Sequence, residues 1–206
     1  MGKVKYTKTE LKAQRESLKR FERFLPMLQL KKQQLQVEIQ QIAARCDEVE
    51  AERDAVRAGL GTWQKMLSSV PAEQIDSLVH VDDIRYDEGN IAGVTIPILK
   101  DVIIQTGTYD LFETPAWFDD TVEILSKLIR FQAEAKTLRE QRRLIEEELR
   151  VTTQRVNLFE KVKIPECREN IRFIRIFLGD EQTASVVRGK IAKDRSRRKA
   201  EAAQSQ

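Results

Sequence analysis

The apolar residues in the first third of the chain recur in alternating steps of four and three positions. From Leu11 to Val70 they form two tracks, each with a seven-residue period. The first track is Leu11, Leu18, Leu25, Lys32, Ile39, Cys46, Arg53, Leu60 and Leu67, and the second is Gln14, Phe21, Leu28, Leu35, Ile42, Val49, Val56, Trp63 and Val70. Fifteen of these eighteen positions are apolar. A repeat of about 3.5 residues predicts a long helix paired along its length in a left-handed coiled coil.

The ends of this first helix are marked by local signals. Thr7 and Glu10 form a capping-box pattern, which predicts a helix start near residue 8. Gly59 and Gly61 weaken the last turns, and Pro71 closes them because it restricts the residue before it.

A second long helix is predicted after Thr114 and Pro115, which match an N-cap followed by proline at the first helical position. Its seam positions are Trp117, Thr121, Ile124, Leu128, Phe131, Ala135, Leu138, Arg142, Ile145, Leu149, Thr152, Val156 and Phe159. The repeat then shifts register near Pro165 and resumes as Ile164, Cys167, Ile171, Ile174 and Leu178. Gly179 is the predicted C-cap.

Two helices of this length joined by a short middle segment are expected to lie antiparallel, with Val70 level with Trp117. Residue i then faces a residue numbered about 187 − i, which places Pro26 and Pro165 at nearly the same height. We therefore expect a bend in both helices there. The cysteines Cys46 and Cys167 fall far apart and are expected to be seam residues without a disulfide.

Residues 76–115 differ from their flanks, because they hold 8 acidic and 2 basic side chains in a chain of net charge +3. Short β-branched runs between turn residues predict one or two hairpins that cap the tip of the helix pair. The predicted fold is thus dominated by α-helix, a long antiparallel two-helix coiled coil with a small β-hairpin at the tip. Its segments are 1–75 (first helix), 76–115 (acidic tip), 116–179 (second helix) and 180–206 (basic tail).

The basic tail ends in a run with seven cations against Asp194. They are Arg188, Lys190, Lys193, Arg195, Arg197, Arg198 and Lys199. Such a run is expected to meet an acidic partner, and phosphate, a membrane surface, nucleic acid and a carboxylate-lined protein cavity all satisfy that demand.

Candidate chemistry is sparse. The chain has one histidine, His80, two cysteines, and none of the common motifs for nucleotide binding, zinc or a nucleophile. We expect no catalytic site, cofactor or metal in this chain. No N-terminal signal pattern and no apolar run of transmembrane length are present in the sequence, so neither a cleaved signal nor a membrane span is predicted.

Several runs resemble the D subunit of the vacuolar-type and archaeal-type rotary ATPases. The most specific is Arg155-Val156-Asn157-Leu158-Phe159-Glu160 with Ile164-Pro165 and Asn170-Ile171-Arg172-Phe173-Ile174. Others are Thr9-Glu10-Leu11-Lys12, Leu28–Leu35 and Asn90–Pro97. The resemblance covers nearly the whole chain. Pro26 within the first helix departs from the commoner family pattern.

The resemblance implies a non-catalytic central rotor shaft in the cytoplasmic, membrane-peripheral sector of a V-type ATPase, which transmits torque between the catalytic A and B subunits and the ion-translocating ring. It implies the F subunit and a socket subunit (C/d) as further partners, with no nucleic acid and no direct membrane insertion. We expect the seven tail cations, together with the exposed arginines of both helices near their free ends, to face the catalytic hexamer, and Ile91, Val94 and Ile96 to face the lower stalk. The alternatives are a coiled-coil tether or scaffold, which homodimerisation would favour, and a nucleic-acid binder.

Overall fold

The computed structural model describes residues 5–59, 79–107 and 118–204, and the side chains of all of these except 118 and 199–204. In chain order the elements are α1 (Lys8–Gly59), β1 (Val79–Ile91), β2 (Val94–Thr106), α2 (Phe118–Leu158), a π-helical turn (Phe159–Lys163) and α3 (Ile164–Gln204). Long helices on either side of an antiparallel hairpin confirm the predicted fold class. The predicted end of the first helix at Pro71 and the predicted start of the second at Thr114 and Pro115 lie outside the described residues.

Helix α1 begins where the capping pattern predicts. The Thr7 hydroxyl accepts a hydrogen bond from the Glu10 amide at 3.2 Å, which satisfies one of the unpaired amides of the first turn. The Thr7 amide donates to the Lys5 carbonyl, and the Glu10 carboxylate accepts from Gln14. These two groups therefore have other partners, and of the two capping-box hydrogen bonds the helix has the one to the Thr7 hydroxyl. The helix continues through Pro26.

Burial along α1 follows the two predicted tracks. All fourteen track positions in the described part of α1 are buried or half-buried, and Leu35 and Val49 have 0% exposure. The period of about 3.5 residues therefore identifies the face of α1 that packs on its partner helices.

The chain forms two compact units. One consists of residues 30–152, and the other of residues 1–29 with 153–206. In the first unit, Leu35 and Ile42 of α1, Ile145 of α2 and Ile96 of β2 form one buried cluster. Three ion pairs join α1 to α2. Lys31 with Glu148 and Arg45 with Glu134 follow antiparallel order, and Glu50 pairs with Arg139 nearby. This matches the predicted direction of the helices.

Within the described residues 79–107, the chain forms a single hairpin of two 13-residue strands. Ala92 and Gly93 turn the chain with φ of 50° and 83°, the paired positive values that a two-residue hairpin turn requires. The Asn90 carboxamide oxygen accepts a hydrogen bond from the Gly93 amide at 3.0 Å. The Asp-Glu-Gly-Asn run predicts a turn, but those residues lie inside β1. A Cβ at Gly89 would stand 2.5 Å from the Cδ1 atom of Ile98, so a larger residue there would require the Ile98 side chain to shift.

The hairpin lies along the side of α2, whereas a cap at the helix ends was expected. Val79 packs with Val122 near the start of α2, and Ile96 packs with Ile145 much further along it. These two points of α2 are about 35 Å apart at about 1.5 Å per residue. Ala133, Thr137 and Gln141, spaced four apart and all buried, form a second buried face of α2, and the Gln141 amide donates to the Pro97 carbonyl.

In the other unit, the start of α1 pairs with α3. Tyr6 stacks on Phe177 and Phe21 meets Phe159, both with ring centroids 5.0 Å apart. These contacts place low α1 numbers beside high numbers of the second helical segment, again in antiparallel order. Pro26 and Pro165 both lie close to the Phe21 contact in sequence, and the expected bend at this height stays a prediction.

The π-helical turn explains the register shift of the second seam. After Phe159 the next seam residue is Ile164, a step of five where the repeat requires four. The Ile164 amide bonds to the Phe159 carbonyl, five residues back, so the turn holds one extra residue. Ile164, Cys167, Ile171 and Ile174 are consequently all buried. Pro165 follows directly, where the wide turn accommodates its missing N–H.

Gly179 does not end the second helical segment. Helix α3 continues through it to Gln204, and the Thr183 hydroxyl donates to the Gly179 carbonyl at 3.0 Å. An internal glycine costs a helix only about 1 kcal/mol, and Glu181, Gln182 and Ala184 supply favourable helix formers. The predicted C-cap was wrong because the signal for it was weaker than the propensity around it.

Candidate partner-binding surfaces

The last part of α3 extends beyond its pairing with α1. Ile174 is fully buried and Phe177 stacks on Tyr6, but every residue from Gly179 to Arg198 is exposed. An isolated helix of this length is marginal in water, because most helix stability in proteins comes from packing. This part of α3 is therefore a candidate surface for binding a partner.

The exposed part of α3 carries positive charge on opposite faces. Of the seven predicted cations, all but Lys199 are described, and they are exposed; the side chain of Lys199 lies outside the described residues. With about 3.6 residues per turn, Arg188 and Arg195 lie on one face of the helix, while Lys190 and Arg197 lie on the opposite face. A partner that surrounds the helix can contact both faces, whereas a flat partner can contact only one.

Apolar side chains lie among these charges. Val186, Val187 and Ile191 are each about half exposed. They give the segment some apolar contact area besides its charge, which favours a protein partner over a purely electrostatic one.

A second basic surface lies in the same unit, between the start of α1 and α3. A groove of about 590 Å³ is lined by the cations Lys12, Arg15, Lys19, Arg168 and Arg175, with Glu16, Leu18, Glu22 and Ile171. Arg168 pairs with Glu22 at 2.9 Å. Arg15, Lys19 and Arg175 make no ion pair within the described residues. Sequence reasoning included exposed arginines of both helices near their free ends, but it named only the terminal run by residue and did not predict this groove, whose signal is a set of cations at matching heights on two antiparallel helices.

The three hairpin residues predicted to face a partner have mainly a packing role. Ile96 is 3% exposed and belongs to the cluster of Leu35 and Ile145, and Ile91 and Val94 are half-buried against the same cluster. The large apolar side chains that the hairpin does expose are Tyr86, at 49%, and Ile98, at 44%. The contact predicted for Ile91, Val94 and Ile96 stays a prediction.

The interhelical charges are local and structural. A hydrogen bond from Arg139 lowers the pKa of Glu50, and the same bond raises the pKa of Arg139. Burial raises the pKa of both Cys46 and Cys167, so neither thiol is activated, and both are free. In the described ranges, no three His, Cys, Asp or Glu side chains are grouped to hold a metal ion. None of the described helices is long and apolar enough to cross a bilayer.

The family model for the D subunit of ATP synthase matches residues 10–194 of the chain. A V-type ATP synthase D subunit of Borreliella burgdorferi is 43% identical over 193 residues, covering 94% of this chain and 95% of that protein. This chain belongs to the ATP synthase D-subunit family. Other relatives named as V-type ATP synthase D subunits include those of Chlamydia caviae, 31% identical with 97% of both chains covered, and Chlamydia muridarum, 33% identical with 93% of this chain and 95% of the relative covered.

The match to the D-subunit family spans α1, the hairpin, α2 and most of α3. It confirms the resemblance predicted from the Arg155–Glu160 run and its neighbours. Membership of this family makes the chain a component of a multisubunit ATP synthase.

Proposed function

We propose that the chain is the central rotor shaft of a V-type ATPase, and that it transmits torque between the catalytic A/B hexamer and the ion-translocating ring in the membrane. The exposed end of α3 carries this proposal. A helix that is exposed from Gly179 to Arg198 and is cationic on opposite faces suits an enclosing, acidic protein wall. The central hole of a hexamer is such an enclosure.

Torque requires that the helices of the shaft do not slide past one another. In the unit of residues 30–152, the cluster of Leu35, Ile42 and Ile145 resists sliding, because any displacement would expose buried apolar area. In the other unit, Phe21 against Phe159 and Glu22 against Arg168 have the same effect. Each unit thus holds its own helix pair in register.

Rotation can couple to catalysis because the shaft is one chain inside a ring of three equivalent catalytic sites. A single chain has no threefold symmetry, so it presents a different surface to each of the three sites. It therefore biases each site toward a different nucleotide affinity. Turning the shaft exchanges the three states. The groove lined by Arg15, Lys19 and Arg175 and the exposed end of α3 are the surfaces we assign to contact with the hexamer.

The chain itself performs no chemistry in this proposal, and the A and B subunits carry out ATP hydrolysis or synthesis. The F subunit and the socket subunit (C/d) bind further toward the membrane, where the exposed face of the hairpin with Tyr86 and Ile98 offers contact area. Ile91, Val94 and Ile96 support that face from inside. The assembly is cytoplasmic and peripheral to the membrane at this point.

The proposal is tested by purifying the complex from its native cell through a tag on this chain. We expect catalytic A and B subunits and a small F-like subunit, with one copy of this chain per hexamer and ATPase activity. Arg188→Glu combined with Arg195→Glu should lower coupled ATP hydrolysis about tenfold. The matched control, Arg130→Glu combined with Arg150→Glu, reverses two exposed cations of α2 outside these surfaces and should have little effect. Recovery as a homodimer without ATPase activity would support the tether instead.

A further inference from the structure

A groove of about 610 Å³ lies between the end of α1, strand β1 and the first half of α2, all within the unit of residues 30–152. Its apolar lining consists of Val81, Ile84, Leu125, Leu128, Ile129 and Ala133. Val81 and Ile84 are three residues apart and would point to opposite faces of a regular strand. A bulge between Val81 and Asp83 inserts one extra residue, which turns both side chains into the groove.

The groove continues the buried core toward the surface, where it is open to solvent. Val79 and Val122 beside it are buried, with Leu125 and Ile129 packed against them. Apart from the buried Ala133, the apolar side chains that line the groove are nevertheless only half-buried. Apolar surface gathered in one concavity is typical of a binding site for another molecule.

The rim of the groove is cationic. Arg53 and Arg57 of α1 and Lys136 of α2 line it. Arg53 is already hydrogen-bonded to the neighbouring Asp54 at 2.8 Å. Arg57 and Lys136 make no ion pair within the part of the chain that the structure describes. A molecule that covers the apolar lining would bring these two cations out of water, so it must supply carboxylates.

The dimensions of the groove favour a helix. Its lining on α2 extends from Leu125 to Lys136, which is about 16 Å, or about three turns of helix. A helix satisfies its own backbone hydrogen bonds, whereas an extended segment on this apolar lining would leave backbone groups unpaired. We propose that this groove binds an acidic amphipathic helix from another subunit of the complex, with apolar side chains on the lining and carboxylates at Arg57 and Lys136. This inference requires a partner subunit in the assembly but does not require that the chain rotate.

The test places a photo-reactive benzoylphenylalanine at Gln132, which is exposed and lines the groove, in the assembled ATP synthase complex. The matched control places it at Gln154, exposed on the same helix outside the groove. We expect light to link position 132, but not 154, to one peptide of another subunit whose apolar residues recur at steps of three and four with acidic residues between them. A link to residues 60–78 or 108–117 of this chain, to a second copy, to a peptide without that pattern, or to nothing would overturn the inference.

Charge reversal tests the role of the rim. Arg57→Glu combined with Lys136→Glu should lower the yield of that link about tenfold, whereas Arg150→Glu should leave it unchanged. An unchanged yield in the double variant would overturn the acidic assignment. If the complex assembles and couples normally but the link is absent, this inference fails while the shaft proposal stands. If the chain is not recovered with catalytic subunits at all, the shaft proposal fails.

Discussion

We expect the effect of Pro165 on helix stability to depend on whether the π-helical turn at Phe159–Lys163 keeps its extra residue. Deleting Val162, whose side chain is 48% exposed, brings Ile164 to four positions after Phe159 and makes the 4-3 repeat continuous. A regular α-helix, without the extra residue, then places Ile164 and the later seam residues on the buried face. Pro165 would now sit in a regular helix interior, where proline removes a hydrogen bond and clashes with the preceding turn.

The burial of the seam sets the energy scale. If the full-length chain formed a regular α-helix here, the seam beyond Phe159 would be rotated by about 100° and would expose Ile164, Ile171 and Ile174. At about 2 kcal/mol for each buried side chain, the loss is about 6 kcal/mol, so the wide turn is retained. Pro165→Ala should therefore raise the local opening free energy of this helix by less than about 1 kcal/mol in the full-length chain. In the deletion variant it should raise the same quantity by about 3 kcal/mol.

Amide hydrogen exchange measured by mass spectrometry gives the local opening free energy of peptides that cover residues 159–175. The four proteins of the cycle are the original chain, Pro165→Ala, the Val162 deletion and the double variant. Deletion of Val186, in the exposed part of α3, is the control background and should show no coupling to Pro165. An equal effect of Pro165→Ala in the full-length and Val162-deleted chains would refute the reasoning.

Three further predictions concern the unit of residues 30–152. Leu35→Ala should lower its unfolding free energy by about 2–5 kcal/mol in urea titrations, because Leu35 has 0% exposure, while Val37→Ala, at 50%, should change it by less than about 0.5 kcal/mol. Thr152→Val should raise the same quantity by about 1 kcal/mol, because the Thr152 hydroxyl is buried without a hydrogen-bond partner; a loss of stability would show that the hydroxyl has a partner after all. The pKa of Glu50 is lowered by its hydrogen bond from Arg139, so the stabilisation from this pair is present above the ordinary carboxyl pKa and is lost as pH falls through the lowered value; the stability difference between the original chain and Glu50→Gln should shrink over that range, and a difference that stays constant from neutral pH into acid would contradict this.

The sequence alone predicted the elements whose cause is local or periodic. The side-chain period identified the buried face of α1, and Thr7 identified its start, because both depend on residues close together in the chain. The step of five from Phe159 to Ile164 was visible as a register shift in the sequence. That the shift takes the form of a π-helical turn follows only from the requirement that the apolar positions before and after it are buried together.

Features that depend on distant contacts were harder to predict. The position of the hairpin is set by the second buried face of α2, where Ala133, Thr137 and Gln141 allow β2 a close approach. Small and polar residues at a spacing of four are a weak signal in a sequence where most such positions are solvent-exposed. The basic groove of Arg15 and Arg175 was expected only as exposed arginines near the free ends of the helices, and its residues were not named, since its cations come from opposite ends of the chain.

The central claim, that this chain turns inside a fixed hexamer, is tested most directly by observing rotation. The hexamer is immobilised through its catalytic subunits, and a probe is attached to the exposed hairpin at Asp87→Cys, with Cys46 replaced by serine. Our account predicts that ATP drives rotation of the probe in one direction, in steps of one third of a turn. ATP hydrolysis at the normal rate with a probe that shows only random motion would contradict it.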